Sequence, residues 1–206
     1  MDKRYQIVAE KKPEDEGSDQ RIALLILTGG AATRFGGKKK LLLYLEGETF
    51  ASRIIDAFKG ISKVYLSVDK KEKYKDLGLP MVEDLYPGCG PLGGIASALE
   101  VCSEEALFVV ACDMPFVTKD AVQTMMDYYE KHEGIVLAAN GDNFEPLFGI
   151  YPKAALQEAK AMISEGDFKT RNLFRRYGGS LAHVDKAEQQ FININTPEDY
   201  SSFVQQ

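Results

Sequence analysis

The chain predicts an α/β protein: a doubly wound, mostly parallel sheet between two layers of helices. Three observations lead there. Apolar runs such as Ile22–Leu27 and residues 107–111 are continuous rather than alternating, as strands buried on both faces are. Segments of helical periodicity separate these runs, and strand–helix alternation over such spacings implies right-handed parallel crossovers. The runs also empty into loops carrying Gly, Pro, Asp or Asn, and open α/β sheets bind ligands outside the carboxyl ends of their strands.

Ile22–Leu27 is the first strand. Thr49 can N-cap a helix to about residue 59, with Phe50, Ile54, Ile55 and Phe58 on one face. Val64–Val68 is the next strand, followed by a lysine-rich helical turn and a short strand, Met81–Glu83. Residues 86–91 (YPGCGP) predict a loop and 94–102 a helix. After the strand at 107–111, Thr118 caps a helix running through Met125 and Met126 to about His132. Residues 135–139 and 147–151 predict strands, and 154–164 and Thr170–Tyr177 helices. Late strands follow at 181–184 and 191–194, and Pro197 opens a final helix at its first turn. Residues 1–20 form a charged extension ending in a linker-like KKPEDEGSDQ, and 21–206 form a single domain.

Composition narrows the partners. A 206-residue chain that is 45% hydrophobic and 27% charged suits one domain with a full core. The formal net charge of −6 argues against nonspecific nucleic-acid binding. Lysines 38–40 suit a small anion, whereas the lysines of 70–75 alternate with Glu72 and resemble ordinary surface. Three cysteines without C-x-x-C spacing speak against a disulfide framework or a zinc knuckle and fit a reducing cytoplasm. No apolar run approaches the roughly 20 residues a membrane helix needs, so neither membrane nor nucleic acid is expected as a partner.

Chemistry is sought where each strand ends. After Ile22–Leu27 comes a glycine-rich loop bearing Arg34 and Lys38 to Lys40. Glycines admit backbone N–H groups to an anion, and the cations neutralise it. It is not a P-loop: Gly37-Lys38 is followed by Lys39 rather than Ser or Thr, and Ala32 stands where the first Gly belongs. Nor does it have Rossmann G-x-G-x-x-G spacing, because Gly29 and Gly30 are adjacent. After residues 107–111 comes Asp113, a charge at the end of a buried strand, which is costly unless paired. Mg²⁺, which takes one or two carboxylates plus phosphate oxygens, would explain it. Thr118 is the better helix cap by spacing, and Cys112 fits a buried small residue rather than a nucleophile.

The loop pattern L-x-G-G-x-x-x-R-x-G-G-x-x-K, running from Leu27 to Lys40, resembles the signature of nucleotidyltransferases that build activated sugars and cofactors. Its doubled Gly pairs are most similar to the molybdenum cofactor guanylyltransferase family. Further motifs occur in that family's order. They are Glu83-Asp84 before Gly90-Pro91-Leu92-x-Gly94-Ile95, Cys112-Asp113-x-Pro115, Glu145-Pro146, an Arg171 segment, and Asn193-x-Asn195-Thr196-Pro197. The resemblance spans residues 22 to about 200. It implies a nucleotide-diphospho-sugar-transferase-like, Rossmann-like fold, and it implies roles. Leu27, Thr28, Gly29 and Gly30 would meet base and ribose, and Arg34 and Lys40 the triphosphate. Ser67, Asp84 and Gly90 would join the nucleotide side. Asp113 would hold Mg²⁺ with Asn193, while Glu145, Arg171 and Asn195 would face the second substrate.

The implied reaction transfers GMP from GTP to the terminal phosphate of molybdopterin, forming molybdopterin guanine dinucleotide and pyrophosphate. Arg34, Lys40 and Asp113 are its catalytic set, and molybdoenzymes or cofactor-insertion chaperones are implied partners. Two departures stand out: Glu145 where His often precedes Pro146, and Lys39 where Asp commonly precedes the loop lysine. Alternatives are a cytidylyltransferase for molybdopterin, a nucleotidyltransferase for a sugar or alditol phosphate, and a nucleotide-binding cofactor chaperone without catalysis.

Overall fold

Strand β1 (Ile22–Leu27) is buried at every position, which explains its continuous apolar run. In the computed structural model, which describes residues 21–29, 39–61 and 63–204, β1 pairs in parallel with β4 (Val64–Val68) and with β6 (Ala106–Ala111). Outside β4 lies β5 (Met81–Glu83), also parallel. Beyond β6 the direction reverses: β8 (Asn143–Pro152) is antiparallel to both β6 and β7 (Ile135–Asn140). Parallel β9 (Gly179–His183) closes the order β5-β4-β1-β6-β8-β7-β9. The mostly parallel α/β expectation holds.

The pleat divides the core in two. Ile22, Leu24, Ile26, Phe108 and Val110 face α1 (Phe50–Ala57), α3 (Lys119–Tyr129) and α6 (Ala187–Gln190). Ala23, Leu25, Leu107 and Val109 face α2 (Gly90–Val101), α4 (Leu156–Ser164) and α5 (Thr170–Tyr177). In the first core Phe108 meets Phe58 and Phe148 edge-on, with centroids 4.7 and 5.0 Å away, the geometry that ring quadrupoles favour. Thr49 and Thr118 cap α1 and α3, accepting from the N–H groups of Ser52 and Ala121 at 3.1 and 3.3 Å. No described helix is long and apolar enough to cross a membrane.

Three local expectations are corrected, and one hairpin was not anticipated. Helix α2 begins at Gly90 rather than 94, with Pro91 in its first turn; the four glycines of 88–94 hide the helical signal. A hairpin of β2 (Tyr44–Leu45) and β3 (Glu48–Thr49) turns through Glu46 and Gly47, both left-handed. Strand β8 starts at Asn143 rather than 147 and runs through Pro146. Residues 191–194 form no strand. Strand β6 already has β1 and β8 on its two edges, so this segment finds no ladder. It is instead held by buried Phe191 and Ile194 and by the Ile194 N–H, which donates to the Asp113 carbonyl at 3.0 Å. Ile194 also joins Leu43, Leu45 and Phe50 in a small third core, with Tyr200 and Phe203 of α7 (Pro197–Val204) against it.

Candidate nucleotidyl-transfer site

The carboxyl ends of β1, β4, β5 and β6 build one wall. At the end of β1 the Thr28 N–H and Oγ1 both donate to the Ser67 carbonyl, at 3.2 and 2.6 Å, so Ser67 acts here through its backbone. Gly29 then turns the chain away. Gly30 and Arg34 lie outside the described residues. The chain returns at Lys39, whose Nζ reaches the Lys73 carbonyl and sits 4.7 Å from the Tyr74 ring centre. The unexpected lysine therefore ties the loop's end to the β4–β5 connection.

Lys40 does something different. It opens a 3-10 turn, Lys40–Leu42, anchored by buried Leu41. Its Nζ lies 3.0 Å from Asp113 Oδ2 and 3.0 Å from Asn195 Oδ1. Asp113 is fixed by its neighbours: the Cys112 N–H donates to the Leu27 carbonyl at 3.0 Å, and the Met114 N–H to Ala111 at 3.3 Å. The Cys112 thiol points at the Thr28 carbonyl, 3.2 Å away. Burial pushes that thiol up to about 12, which suits packing and not attack. Asn195 is fixed by a capping box at α7. The N–H groups of Asn195 and Thr196 donate to Asp199 Oδ2, both at 2.9 Å, and the Asp199 N–H donates back to Thr196 Oγ1 at 3.1 Å. The asparagine joined to Lys40 and Asp113 is thus Asn195. Asn193 is half-buried on the same irregular segment, and no described hydrogen bond ties its side chain to the cluster.

Asp84 follows β5. Its Oδ1 accepts the Tyr86 N–H at 2.8 Å and lies 3.2 Å from Ser97 Oγ. Ser97 in turn accepts the Leu85 N–H at 2.8 Å and donates to the Gly93 carbonyl at 2.7 Å. One carboxyl oxygen of Asp84 thus organises the loop, and Oδ2 has no hydrogen-bond partner among the described residues. The approach of α2 is tight: a Cβ at Gly93 would lie 2.6 Å from the Tyr86 carbonyl, and one at Gly94 2.5 Å from Ser67 Oγ. This places the α2 N-terminus, starting at Gly90, beside the ends of β1 and β4, where its dipole favours anions.

Across Asp113 from β1 lies β8. Opposite β7 its register slips: Leu137 faces Gly149 while Ala138 faces Glu145, leaving residues 146–148 as a three-residue insertion in the ladder with β7. Bulges re-aim side chains, and this one turns Glu145 into a cleft of about 530 Å³ between β8 and α5, whose lining includes Pro91, Leu147, Phe168, Arg171 and Arg175. Glu145 Oε1 accepts the Leu147 N–H at 3.0 Å, and the Tyr151 hydroxyl donates to the Pro146 carbonyl at 2.7 Å. Burial raises the Glu145 carboxyl above the usual glutamate value, against the pull of Arg171. Arg171 donates to the Phe144 carbonyl at 2.8 Å and stacks 4.4 Å from that ring's centre.

The structure thus brings Leu27, Thr28, Gly29, Ser67, Lys40, Asp113 and Asn195 together, sets Asp84 and Gly90 beside them, and places Glu145 and Arg171 in the adjoining cleft. Sequence reasoning passed over Ser97, Phe144, Phe168 and Arg175. Ser97 alone carried a signal, as the one hydroxyl in the otherwise apolar run 92–99.

Residues 24–184 match the MobA-like NTP transferase domain. A Clostridium perfringens protein named "Probable molybdenum cofactor guanylyltransferase" is 32% identical over 187 residues, covering 87% of this chain and 94% of that one. The molybdenum cofactor guanylyltransferase of Vibrio cholerae is 28% identical, covering 96% and 97%. Among solved structures, molybdopterin-guanine dinucleotide biosynthesis protein A from Archaeoglobus fulgidus superposes with a TM-score of 0.72 at 23% identity, covering 89% and 97%. The 2-C-methyl-D-erythritol 4-phosphate cytidylyltransferase of Thermus thermophilus gives 0.63 at 18%, covering 88% and 96%. These two share the fold. The family match over residues 24–184 and the 32% identical relative establish that the chain belongs to the molybdenum cofactor guanylyltransferase family of nucleotidyltransferases.

Proposed function

We propose that the protein transfers GMP from GTP to the terminal phosphate of molybdopterin, releasing pyrophosphate and forming molybdopterin guanine dinucleotide. The observation that carries this reading is the Lys40 ammonium shared by Asp113 and Asn195, at the junction of the nucleotide wall and the cleft. An acceptor phosphate is already anionic at neutral pH, so no side-chain base is needed. Its oxygen attacks the α-phosphorus, a new P–O–P bridge forms, and the electron pair of the broken P–O bond leaves with pyrophosphate. What the protein supplies is position and fixed charge. Lys40 and Arg34 neutralise the phosphates, and the main chain of Leu27, Thr28 and Gly29 holds the nucleoside with Asp84. The amides at Gly90 receive anionic oxygen, and Arg171 and Asn195 meet the acceptor.

Two oxygens, Asp113 Oδ2 and Asn195 Oδ1, converge on one cationic nitrogen. A hard oxygen pair already holding a cation fits Mg²⁺, which asks few protein ligands and takes phosphate oxygens besides. Asp113 and Asn195 would hold the ion, and when bound it adds positive charge beside the reacting phosphates. Residues 21–206 would be the catalytic domain and 1–20 an extension outside it. Three buried free thiols suit a reducing cytoplasm, where molybdoenzymes or insertion chaperones would receive the product.

A thermal-shift comparison of GTP, CTP, ATP and UTP tests the nucleotide. A ligand at about 100 Kd adds about 2.7 kcal/mol of stability, and GTP should do so selectively. Stabilisation by CTP without GTP overturns the guanylyl assignment.

A further inference from the structure

Glu145 is an acid in a cleft otherwise supplied with cations. Toward a phosphate it would be repulsive, so its position asks for a ligand of the opposite character. Three features define that ligand. The carboxylate is rigid: Oε1 is held by the Leu147 N–H at 3.0 Å, and the register slip of β8 fixes the backbone beneath it. Oε2 has no hydrogen-bond partner among the described residues, and Glu145 lines the cleft. An ionised carboxylate only accepts, so it suits an edge bearing N–H donors. The cleft's Pro91, Leu147 and Phe168 offer apolar surface to a flat heterocycle. Of the cations lining the cleft, Arg171 is stacked on Phe144 and bonded to its carbonyl, while Lys169 and Arg175 also line it.

We propose that Glu145 is a specificity-determining residue that reads the paired N–H edge of the acceptor's pterin, the ring N–H and its neighbouring amino group. This rests on the guanylyl-transfer reading above. Guanine presents the same donor pair, so position must decide between the two. In the sheet order β4-β1-β6-β8, the β1 loop lies on one side of Asp113 and Glu145 on the other. The nucleotide's wall is on β1, β4 and β5, and Glu145 therefore belongs to the acceptor. Burial of the carboxyl raises the cost of its charge, and a pair of N–H donors offsets that cost where a carbonyl edge would add to it.

The test uses Glu145→Gln. Glutamine keeps an acceptor for the Leu147 N–H but replaces the other oxygen with a donor. The full chain is assayed for pyrophosphate release with GTP and molybdopterin. 6-Hydroxymethylpterin and 6-hydroxymethyllumazine serve as competitors; the latter carries a carbonyl in place of the amino group. The wild type should be inhibited about tenfold better by the pterin, the scale of one charge-assisted hydrogen bond. Glu145→Gln should raise the molybdopterin KM by about tenfold, leave the GTP KM unchanged and lose the preference for pterin over lumazine. An unchanged molybdopterin KM with intact discrimination overturns the proposal, as does an effect confined to the GTP KM. If the wild type itself forms no dinucleotide from GTP and molybdopterin, the failure lies with the guanylyl-transfer reading instead.

Discussion

Asp113→Asn separates the two things Asp113 does. The substitution removes a charge but leaves an oxygen for the Lys40 ammonium, now 3.0 Å from Asp113 Oδ2. Both side chains are about four-fifths shielded, at 17% and 18% exposure, so solvent still screens part of their attraction. A hydrogen bond to a charged group contributes about 1.5–3 kcal/mol against about 0.5–1.5 for a neutral one. The variant should therefore lose only about 1 kcal/mol of stability, a fall in Tm of about 2–4 °C for a domain of this size. Its backbone clamps, Cys112 to Leu27 and Ile194 to Asp113, do not involve the side chain and should hold the loop in place.

Turnover should respond on another scale. A preorganised charge beside reacting phosphates is worth about 100- to 1,000-fold in rate, or about 2.7–4 kcal/mol. Pyrophosphate release with GTP and molybdopterin should fall by at least about 100-fold while far-UV circular dichroism and the melting transition stay close to wild type. Turnover within about threefold of wild type would remove Asp113 from the reacting centre, whatever its contacts in the structure.

Other parts of the molecule give independent tests. Glu104 is buried, with the Lys63 ammonium 2.5 Å away and the Tyr65 hydroxyl 3.3 Å away. Burial alone would raise its carboxyl, but Lys63, its own backbone and Ser103 outweigh that and hold it below the usual glutamate value. A depressed carboxyl adds stability above the unfolded pKa, lost as pH falls through the folded one. Urea titrations should show stability falling below about pH 4.3, and Lys63→Met should be destabilised at neutral pH with a weaker acid limb. An acid limb unchanged in that variant would contradict the pairing. Gly93→Ala would put a Cβ 2.6 Å from the Tyr86 carbonyl; it should cost about 1–3 kcal/mol by urea unfolding and raise the GTP KM. Burial pushes the Cys102 thiol up to about 11 and Cys112 up to about 12, so neither should react with a maleimide at pH 8 in the native state, and both should react in urea.

The parts most legible in sequence are those whose physics is local or fully buried. Strand β1 lies at the expected residues because a parallel strand covered on both faces leaves an unbroken apolar run, and β4 and the short edge strand β5 were found from briefer apolar stretches. The ends of β1, β5 and β6 were legible too, since Gly29, Asp84 and Asp113 follow those runs closely. What hid was structure made by tertiary partners. The first half of β8, Asn143 to Pro146, has no strand signal, and a proline ordinarily argues against one. It pairs because β7 offers a partner across a bulge that absorbs Pro146. The alternation of Ile192 and Ile194 reads as a strand, yet an apolar pattern cannot show that β6 has no free edge. That loss also explains why it is Asn195 that meets Lys40: once the segment is irregular, the two asparagines need not share a face.

On the proposed assignment, the same topology would let the site keep its chemistry while its acceptor changes. Strands β1 and β6 end in register, Leu27 opposite Ala111, and the bond from Cys112 to Leu27 carries that register one residue further. Thr28 and Asp113 therefore hold their spacing for as long as the central sheet is folded, and the nucleotide wall cannot drift from the reacting centre. The proposed acceptor side is tied to β7 rather than to β1 and β6. It hangs on β8, antiparallel and bulged beyond Phe148, where pairing with β6 ends, and on α5, which meets it through Phe144, Arg171 and Phe174. Substitutions there alter the cleft without touching the β1–β6 register. A change of acceptor preference should accordingly be reachable through residues 144–147 and 168–175 alone, with GTP affinity left intact.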